Sequence, residues 1–308
     1  MRRIMLRVAY DGTEYCGWQR QPNGVTVEGV LNGALRALLQ EDIELIGASR
    51  TDAGVHARGN VCVFDTKSRI PAEKFAYALN PRLPGDIVIQ ESREVAADFH
   101  PRHCDCNKTY EYRIYNAIFP APLLRRSTHF LYRPLDVEAM RQAAGCLVGE
   151  HDFKSFCSVN TQVKETVRKV NFLEVLETPV EGGKAFWAAN NGAETVLGSG
   201  NHAAEESSQT EESGAAHGSF SMPLGKMPPR MITIRINGNG FLYNMVRIIA
   251  GTLIEAGYHW RSPESVMETL AACDRQMAGA TAPACGLTLM GIWYDEALLL
   301  GGGGQVLP

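Results

Sequence analysis

Residues 47–66 read GASRTDAGVHARGNVCVFDT, which predicts a tight turn of small residues leading directly into a β-strand. The turn carries one carboxylate, Asp52, between Arg50 and Arg58. Alanine and glycine put little bulk around Asp52, so a ligand can approach it closely. Arg50 can keep this acid ionised at neutral pH, as a nucleophile or general base requires. Spacing alone favours a simpler alternative, a tight turn with a surface ion pair.

The elements around this turn follow a definite order over the first hundred residues. Alternation predicts a strand over residues 3–10, and apolar spacing predicts a helix that is capped by Thr26 and ends near residue 39. The remaining predicted elements are strands near 43–47 and 58–66, a helix over 71–79 and a strand over 86–94. Strand–helix–strand–strand–helix–strand is the order of a ferredoxin-like unit.

A second unit begins near residue 106. Its predicted elements are a strand over 108–115, a helix over 135–147, strands over 166–176 and 230–236, a helix over 238–257 and a closing strand over 286–294. We therefore predict an N-terminal domain over residues 1–105, a C-terminal domain over 106–296 and a flexible tail over 297–308.

Residues 188–229 interrupt the second unit with a stretch rich in Ala, Ser, Glu, Gly and Asn. Few of its side chains are large and apolar, so burial cannot offset the entropy lost on ordering. We expect a disordered or mobile insertion in a hairpin loop. A tolerated insertion is the simpler interpretation, and a regulatory or partner-binding role is the alternative.

Length and composition narrow the class of protein. The 308 residues are 45% hydrophobic, enough for one large core or two medium ones. No apolar run reaches membrane-spanning length, and the first eight residues predict a strand rather than a signal peptide. The eight cysteines are scattered, which favours reduced thiols in the cytoplasm. Cys104 and Cys106 lie beside His100 and His103, but no second cluster completes a tetrahedral site, so we expect no metal.

The formal net charge of −4 argues mildly against a nucleic-acid partner, but its distribution matters more. Residues 182–229 carry five glutamates and two lysines, so the remainder of the chain is close to neutral. That remainder has local basic groups, namely Arg2, Arg3, Arg7, Arg50, Arg58, Arg125, Arg126, Lys164, Arg168 and Lys169. A near-neutral body with a basic cleft can still bind RNA.

The helix predicted over 238–257 carries a single arginine, Arg247. Helical spacing places it on the face of Gly251, where another chain or a ligand can approach. No acidic residue lies three or four positions away, so Arg247 either is exposed to water or pairs with a distant acid. Asp52 is the candidate for that acid.

The strand predicted over 108–115 alternates strictly, so Lys108, Tyr110 and Tyr112 share one face. Aromatic and basic side chains together form a stacking platform for an unpaired base. A cross-strand tyrosine pair packed on a helix is an equally good interpretation.

Two further motifs carry no chemistry in our interpretation. His151 and Asp152 precede Ser155 and Cys157, but adjacent residues do not face each other and no oxyanion motif occurs, so we expect capping and packing. Residues 238–240 precede a helix without the glycine pattern or lysine of a nucleotide site, so we expect no nucleotide cofactor.

Five segments of the chain together resemble the bacterial tRNA pseudouridine synthase A family. They are SRTDAGVHA (49–57), KTYEY (108–112), HDFKSF (151–156), GFLYNMVR (240–247) and GLTL (286–289), in the family's order and at appropriate spacing. The resemblance covers nearly the whole chain except residues 188–229 and the glycine-rich tail. It implies an α+β fold in which two ferredoxin-like (RRM-like) halves form one mixed, mainly antiparallel central sheet with helices on one side.

The resemblance also implies an active site and a function. Asp52 matches the family's catalytic aspartate, Tyr110 the tyrosine that stacks on the target uracil, and Arg247 the basic residue that pairs with the aspartate. Arg50 matches an arginine that helps to extrude the nucleotide, and Leu289 belongs to the apolar strand that walls the pocket. The family isomerises uridine to pseudouridine at positions 38, 39 and 40 of the tRNA anticodon stem-loop, as a cytoplasmic homodimer that needs no cofactor and no metal.

The implied reaction breaks the N1 glycosidic bond, rotates the freed base and joins C5 to C1′. Asp52 could attack C1′, attack C6 of the base or remove the 2′ proton, and the sequence leaves these three routes open. Two other functions fit less well. A non-catalytic RNA-binding protein would carry the aromatic RRM signature, and an aspartate-based hydrolase would need a second carboxylate or a metal.

Overall fold

The computed structural model of the chain describes residues 1–159, 165–180 and 228–300. The insertion predicted over 188–229 therefore lies outside the described residues except for its last two positions. Residues 301–308 of the predicted tail also lie outside them.

The described residues form ten strands and six α-helices. The strands are β1 (Arg2–Tyr10), β2 (Ile46–Gly47), β3 (His56–Thr66), β4 (Ile87–Val95), β5 (Cys106–Asn116), β6 (His129–Leu131), β7 (Gly149–Asp152), β8 (Val167–Pro179), β9 (Arg230–Gly238) and β10 (Leu287–Tyr294). The helices are α1 (Val27–Leu39), α2 (Phe75–Leu79), α3 (Val137–Gly145), α4 (Met245–Gly257), α5 (Ser265–Ala272) and α6 (Glu296–Leu300).

All the strands belong to one sheet with the order β4-β1-β3-β10-β5-β9-β8-β7, while β2 pairs with β3 and β6 with β5. The order β4-β1-β3-β2 in the first half is repeated by β10-β5-β9-β8 in the second. The halves meet where β3 and β10 run parallel, with Leu289 opposite Ala57. Most other pairs are antiparallel, so the predicted α+β fold with two ferredoxin-like halves is confirmed.

The main core lies on one face of this sheet. On β1, Ile4, Leu6 and Val8 are fully buried, whereas Arg3 and Arg7 point to the other face and pair with Asp65 and Glu91. Helices α2, α3 and α4 contact strands β4, β8 and β5 respectively. The predicted cap of α1 is confirmed, since the Thr26 hydroxyl accepts a hydrogen bond from the amide of Gly29 at 3.2 Å.

Several predicted boundaries are wrong. The helix predicted from residue 238 begins at Met245, because β9 extends to Gly238 and Asn244 has a left-handed φ of 61°. The predicted strand 43–47 is reduced to two residues, and strands β6 and β7 and helix α5 were not predicted. Residues 297–300 were assigned to a flexible tail but belong to α6, where buried Leu299 accepts a hydrogen bond from the amide of Ala96.

Candidate active site

The loop that carries Asp52 connects β2 to β3 and alternates between inward and outward side chains. Ser49 and Thr51 are buried, Arg50 is exposed, and the Asp52 side chain is 21% exposed. Gly54 takes a φ of +77°, a conformation that glycine adopts without strain, and Ala284 packs closely against it. The turn therefore presents Asp52 beside the segment that leads into β10.

Asp52 forms an ion pair with Arg247 across the junction between the two halves. The Arg247 Nη1 atom lies 3.5 Å from Asp52 Oδ2, and the Arg247 side chain is 17% exposed. The pairing predicted from the sequence is therefore confirmed, although 195 residues separate the two partners.

Arg247 is also fixed by two neutral acceptors. Its Nε donates to the carbonyl of Ala282 at 2.8 Å, and its Nη1 donates to Asn244 Oδ1 at 2.9 Å. One turn further along α4, Gly251 lies directly against the backbone of Ala280, so another part of the chain occupies the space that the glycine leaves. Arg247 thus holds the segment before β10 as well as Asp52.

Burial controls the ionisation of Asp52. It raises the pKa of Asp52 above the ordinary value, while the charge and the hydrogen bond of Arg247 oppose that rise. An acid whose pKa is raised by burial and opposed by a specific cation is typical of a functional carboxylate.

Tyr110 is the third member of this cluster. It lies in the middle of β5, only 7% exposed, and its hydroxyl is 2.9 Å from the Ser49 hydroxyl. Phe241 packs edge-on against its ring with centroids 5.2 Å apart. Burial raises the pKa of Tyr110 to about 12, and the nearby charge of Asp52 adds to the rise. The phenol therefore stays protonated beside the acid.

Arg50 lies apart from this ion pair. Its side chain is exposed, and among the described residues it makes no ion pair. The expectation that Arg50 keeps Asp52 ionised is therefore wrong, and Arg247 occupies that position instead. Exposed ion pairs contribute little free energy, so an arginine at the surface is not held strongly by a protein partner. The guanidinium of Arg50 is therefore accessible to a ligand.

Leu289 is fully buried on β10, and its backbone lies opposite Tyr110 on one side and Ala57 on the other. It therefore presents no surface to a ligand in this structure and supports Tyr110 from the neighbouring strand. Tyr112 is likewise buried, and its hydroxyl donates to the carbonyl of Pro283 at 3.0 Å. Of the expected tyrosine platform, only Tyr110 lies at the candidate site.

Lys108 lies two residues before Tyr110 on the same face of β5. Its Nζ donates to the carbonyl of Ala48 at 3.3 Å, and burial lowers its pKa. This contact ties β5 of the second half to the Asp52 loop of the first.

Sequence reasoning missed Asn244 and Ser49. Asn244 binds Arg247 and also donates from Nδ2 to the Ser158 hydroxyl at 2.8 Å. Its position directly before α4 is a helix-start signal that could have identified it. Ser49 could have been found from the alternation of small hydroxyl residues with Arg50 and Asp52 in the loop.

The part of the chain that the structure describes contains neither a metal-binding cluster nor a membrane-spanning helix. His100 and His103 stack with ring centroids 4.1 Å apart, but no group of three or more His, Cys, Asp or Glu side chains in residues 1–159, 165–180 and 228–300 is placed to hold a metal. Over the same ranges, no helix has the length and apolar character needed to cross a membrane.

Comparisons with known proteins identify the family of the chain. A sequence profile described as tRNA pseudouridine synthase matches residues 7–103 and 143–295, and so includes every member of the cluster except Tyr110. The chain belongs to the tRNA pseudouridine synthase family. Members of this family are isomerases, and the cluster of Asp52, Arg247 and Tyr110 lies in the part of the fold where its halves join.

Individual members of the tRNA pseudouridine synthase family align with nearly the whole chain. The tRNA pseudouridine synthase A of Brevibacillus brevis is 42% identical over 294 residues, which are 96% of this chain and 100% of that protein. The enzyme of the same name from Ruminiclostridium cellulolyticum is 40% identical over the same shares of both chains. The tRNA pseudouridine synthase A 2 of Clostridium perfringens is 37% identical, again over 96% of this chain and 100% of its own.

Proposed function

We propose that this chain isomerises uridine to pseudouridine at positions 38, 39 and 40 of the tRNA anticodon stem-loop, with Asp52 as the nucleophile or base. The observation that carries the proposal is the cluster in which Arg247 pairs with Asp52 at 3.5 Å beside the buried phenol of Tyr110. The cluster combines an acid held by a cation with an aromatic ring, which suits chemistry on a base turned out of its strand.

Each residue of the site has a part in this proposal. Extruding a base costs a few kcal/mol of unstacking, and an aromatic ring such as that of Tyr110 recovers about 1–3 kcal/mol by stacking. Arg50, exposed on the rim and without an ion pair in the described residues, can occupy the space that the base leaves. Leu289 supports Tyr110 from the adjacent strand.

The reaction conserves atoms overall. The bond between N1 and C1′ breaks, the base rotates and a bond forms between C5 and C1′. The proton at C5 is released to solvent, and N1 takes up one proton in exchange. Asp52 can attack C1′, attack C6 or remove the 2′ proton, and its pairing with Arg247 suits each route because each begins with an ionised carboxylate.

The rim of the second half carries groups suited to an RNA backbone. Arg168 lies beside Gly240, and the next residue, Phe241, packs on Tyr110. Tyr243, half-exposed on the same segment, adds an aromatic surface. Positive and aromatic groups close to the paired acid favour binding of a nucleic acid whose base reaches that acid.

The resemblance in the five sequence segments extends the proposal to a homodimer that acts in the cytoplasm. Light scattering coupled to size-exclusion chromatography measures the first point directly, since a dimer has twice the mass of the 33.8 kDa chain. Fractionation of cells that express a tagged chain measures the second.

Tritium release tests the proposed reaction. Three tRNA transcripts, each with C5-tritiated uridine at only one of positions 38, 39 and 40, should all release tritium when incubated with the purified chain. A transcript with cytidine at all three positions and tritiated uridine elsewhere should release none. Release from that transcript alone would contradict the proposed positions.

Substitution of Asp52 tests the proposed acid. The Asp52→Ala variant should fold and bind tRNA but release no tritium, because Asp52 is the one carboxylate paired with Arg247 among the residues that the structure describes. Asp42→Ala is the matched control, since the Asp42 side chain is 94% exposed and forms a surface ion pair with Arg36. Turnover in Asp52→Ala comparable to that in Asp42→Ala would remove Asp52 from the mechanism.

A further inference from the structure

Behind the Asp52 loop lies a chain of buried polar side chains formed by Tyr10, Ser49, Thr51, Asn60 and Tyr110. All five are at most 7% exposed. The Tyr10 hydroxyl is 2.7 Å from the Thr51 hydroxyl, and the Ser49 hydroxyl is 2.9 Å from that of Tyr110. Three strands of the sheet thereby converge on the loop.

Asn60 joins the two ends of this chain. Its side-chain amide donates to the carbonyl of Ser49 at 3.0 Å and to the Tyr10 hydroxyl at 3.3 Å, and its Oδ1 accepts from the amide of Val61 at 2.9 Å. Both hydrogens and the oxygen of the amide are therefore used. A buried polar network whose members are all satisfied makes the surrounding structure rigid.

The contacts alternate along the loop. Ser49 and Thr51 point into the network, while Arg50 and Asp52 point away from it. The inner residues therefore fix the loop from behind and leave its outer residues free for a ligand. Within this network the bond between Ser49 and Tyr110 passes from the loop to β5, and Lys108 joins the same strand to the loop at the carbonyl of Ala48.

We propose that Ser49 is a positioning residue, whose hydroxyl holds the phenol of Tyr110 while Asn60 and Tyr10 hold the loop, so that Tyr110 and Asp52 keep a fixed separation. The inference rests on the proposed function, in which a uracil lies between these two groups. A pocket that is already arranged before the base enters needs no reorganisation during the reaction.

The expected effect of Ser49 is on turnover rather than on binding. Affinity for tRNA comes mainly from phosphate contacts, which the buried network does not make. Loss of one neutral hydrogen bond should therefore lower kcat by about three- to tenfold and leave KM for tRNA unchanged. A residue that only stabilised the fold would lower the fraction of active protein and the melting temperature, without this division between kcat and KM.

The test compares two serine substitutions. Ser49→Ala should lower kcat as stated. Ser155→Ala is the control, because Ser155 is also buried but its hydroxyl has no hydrogen-bond partner among the described residues, so kcat should not change. Tyr10→Phe removes the hydroxyl that contacts Thr51 and accepts from Asn60 but leaves the bond between Ser49 and Tyr110, so it should lower kcat by a smaller factor. An unchanged kcat in Ser49→Ala, or an equal loss in Ser155→Ala, overturns the inference.

A double-mutant cycle identifies the partner of Ser49. In the Tyr110→Phe background the phenol is absent, so adding Ser49→Ala should not slow the residual single-turnover rate, measured over hours with excess enzyme. A further loss as large as that in the parent chain contradicts a role through Tyr110. If the parent chain releases no tritium from any of the three transcripts, both the proposed function and this inference are wrong. If the parent chain is active but Ser49→Ala leaves kcat unchanged, only this inference is wrong.

Discussion

The two halves of the sheet share one strand order but contribute to the active site in different ways. The first half supplies Asp52 from a loop that is held by side-chain hydrogen bonds to Ser49 and Thr51. The second half supplies Tyr110 from the middle of a strand and Arg247 from a helix, where backbone hydrogen bonds already set the geometry.

This difference indicates where the site tolerates change. Strand and helix positions depend on many backbone bonds, so a single side-chain substitution there removes a chemical group but leaves the geometry in place. The loop position depends on a few side chains, so a substitution there can move the acid. A substitution of Tyr110 on β5 should therefore act mainly through the chemical group that is lost. Arg247 also holds the carbonyl of Ala282, so its replacement can move the segment before β10 as well.

The largest effect in the second half is expected from Tyr110→Phe. The ring stays on β5 and can still stack, but the phenol whose pKa the charge of Asp52 raises is lost, so we expect turnover to fall by about a hundredfold or more. Affinity for tRNA should stay within about twofold, because phosphate contacts dominate binding. Tritium release and a filter-binding titration measure the two quantities.

Tyr115→Phe is the matched control for this prediction. Tyr115 lies on the same strand, is 8% exposed, and its hydroxyl has no hydrogen bond among the described residues. Turnover that is equal in the two variants would show that the strand, and not the phenol, determines the rate.

The next largest effect is expected from Arg247→Met. The variant removes the charged hydrogen-bonding partner of Asp52. A hydrogen bond to a charged group contributes about 1.5–3 kcal/mol, so we expect turnover at neutral pH to fall by about ten- to a hundredfold. Arg36→Met, which breaks the exposed ion pair with Asp42, should leave turnover unchanged.

The pH profile of Arg247→Met gives a sharper result than its rate. Burial raises the pKa of Asp52 and Arg247 opposes that rise, so removal of the guanidinium should raise the pKa further. Because the ionised acid is the active form, the acid limb of the rate profile should move to higher pH, and the loss should be larger at pH 6 than at pH 8. An acid limb that does not move would contradict the electrostatic role of Arg247.

Arg247→Met also changes how stability depends on pH. The native state binds the Asp52 proton more tightly than the unfolded state does, because burial raises the pKa of this acid in the fold. The contribution of Asp52 to the free energy of unfolding therefore falls as the pH rises above the ordinary range of an aspartate. Arg247→Met should steepen that fall, as urea titrations between pH 4 and 8 can measure.

A smaller effect is expected from Arg50→Ala in the loop. Arg50 makes no ion pair among the described residues, so the melting temperature should not change. If this arginine helps to extrude the base, turnover should fall by about tenfold at the stem positions 39 and 40, and less at position 38 in the loop, because a paired base costs more to extrude.

Arg58→Ala is the comparison for Arg50. Arg58 follows Ala57 on β3 and therefore points to the opposite face of the sheet, where it lines a shallow depression with Arg7, Gln90 and Trp293. Its removal should not change the ratio of turnover between positions 38 and 39. An equal slowing of all three positions by Arg50→Ala would instead indicate a general phosphate contact.

The smallest effect is expected from Leu289→Met. The side chain is fully buried between the two halves, and a substitution of similar volume should cost less than about 1.5 kcal/mol of the free energy of unfolding. Turnover should stay within about twofold, since Leu289 supports Tyr110 without contacting a ligand. A large change in KM with unchanged stability would show that the side chain touches the substrate.

Much of the fold could be predicted from local patterns. The alternation of residues 3–10 and 108–115 and the capping position of Thr26 identified β1, β5 and the start of α1. The start of α4 was placed seven residues too early, because β9 extends to Gly238 and Asn244 takes a left-handed conformation directly before Met245. Strand β7 was missed because it is short and gains its stability by pairing with β8.

The amino-acid sequence by itself determined which chemistry is available: one acid in a turn of small residues, a lone helical arginine without a local partner, and a tyrosine on an alternating strand. These follow from composition and from the periods of strands and helices, which are local properties. Only the tertiary structure decided that Arg247, and not Arg50, faces Asp52, and that Ser49 holds Tyr110. Burial strengthens a polar contact and also raises the free-energy cost of leaving a polar group unpaired. Which groups are buried depends on how the two halves pack along β3 and β10.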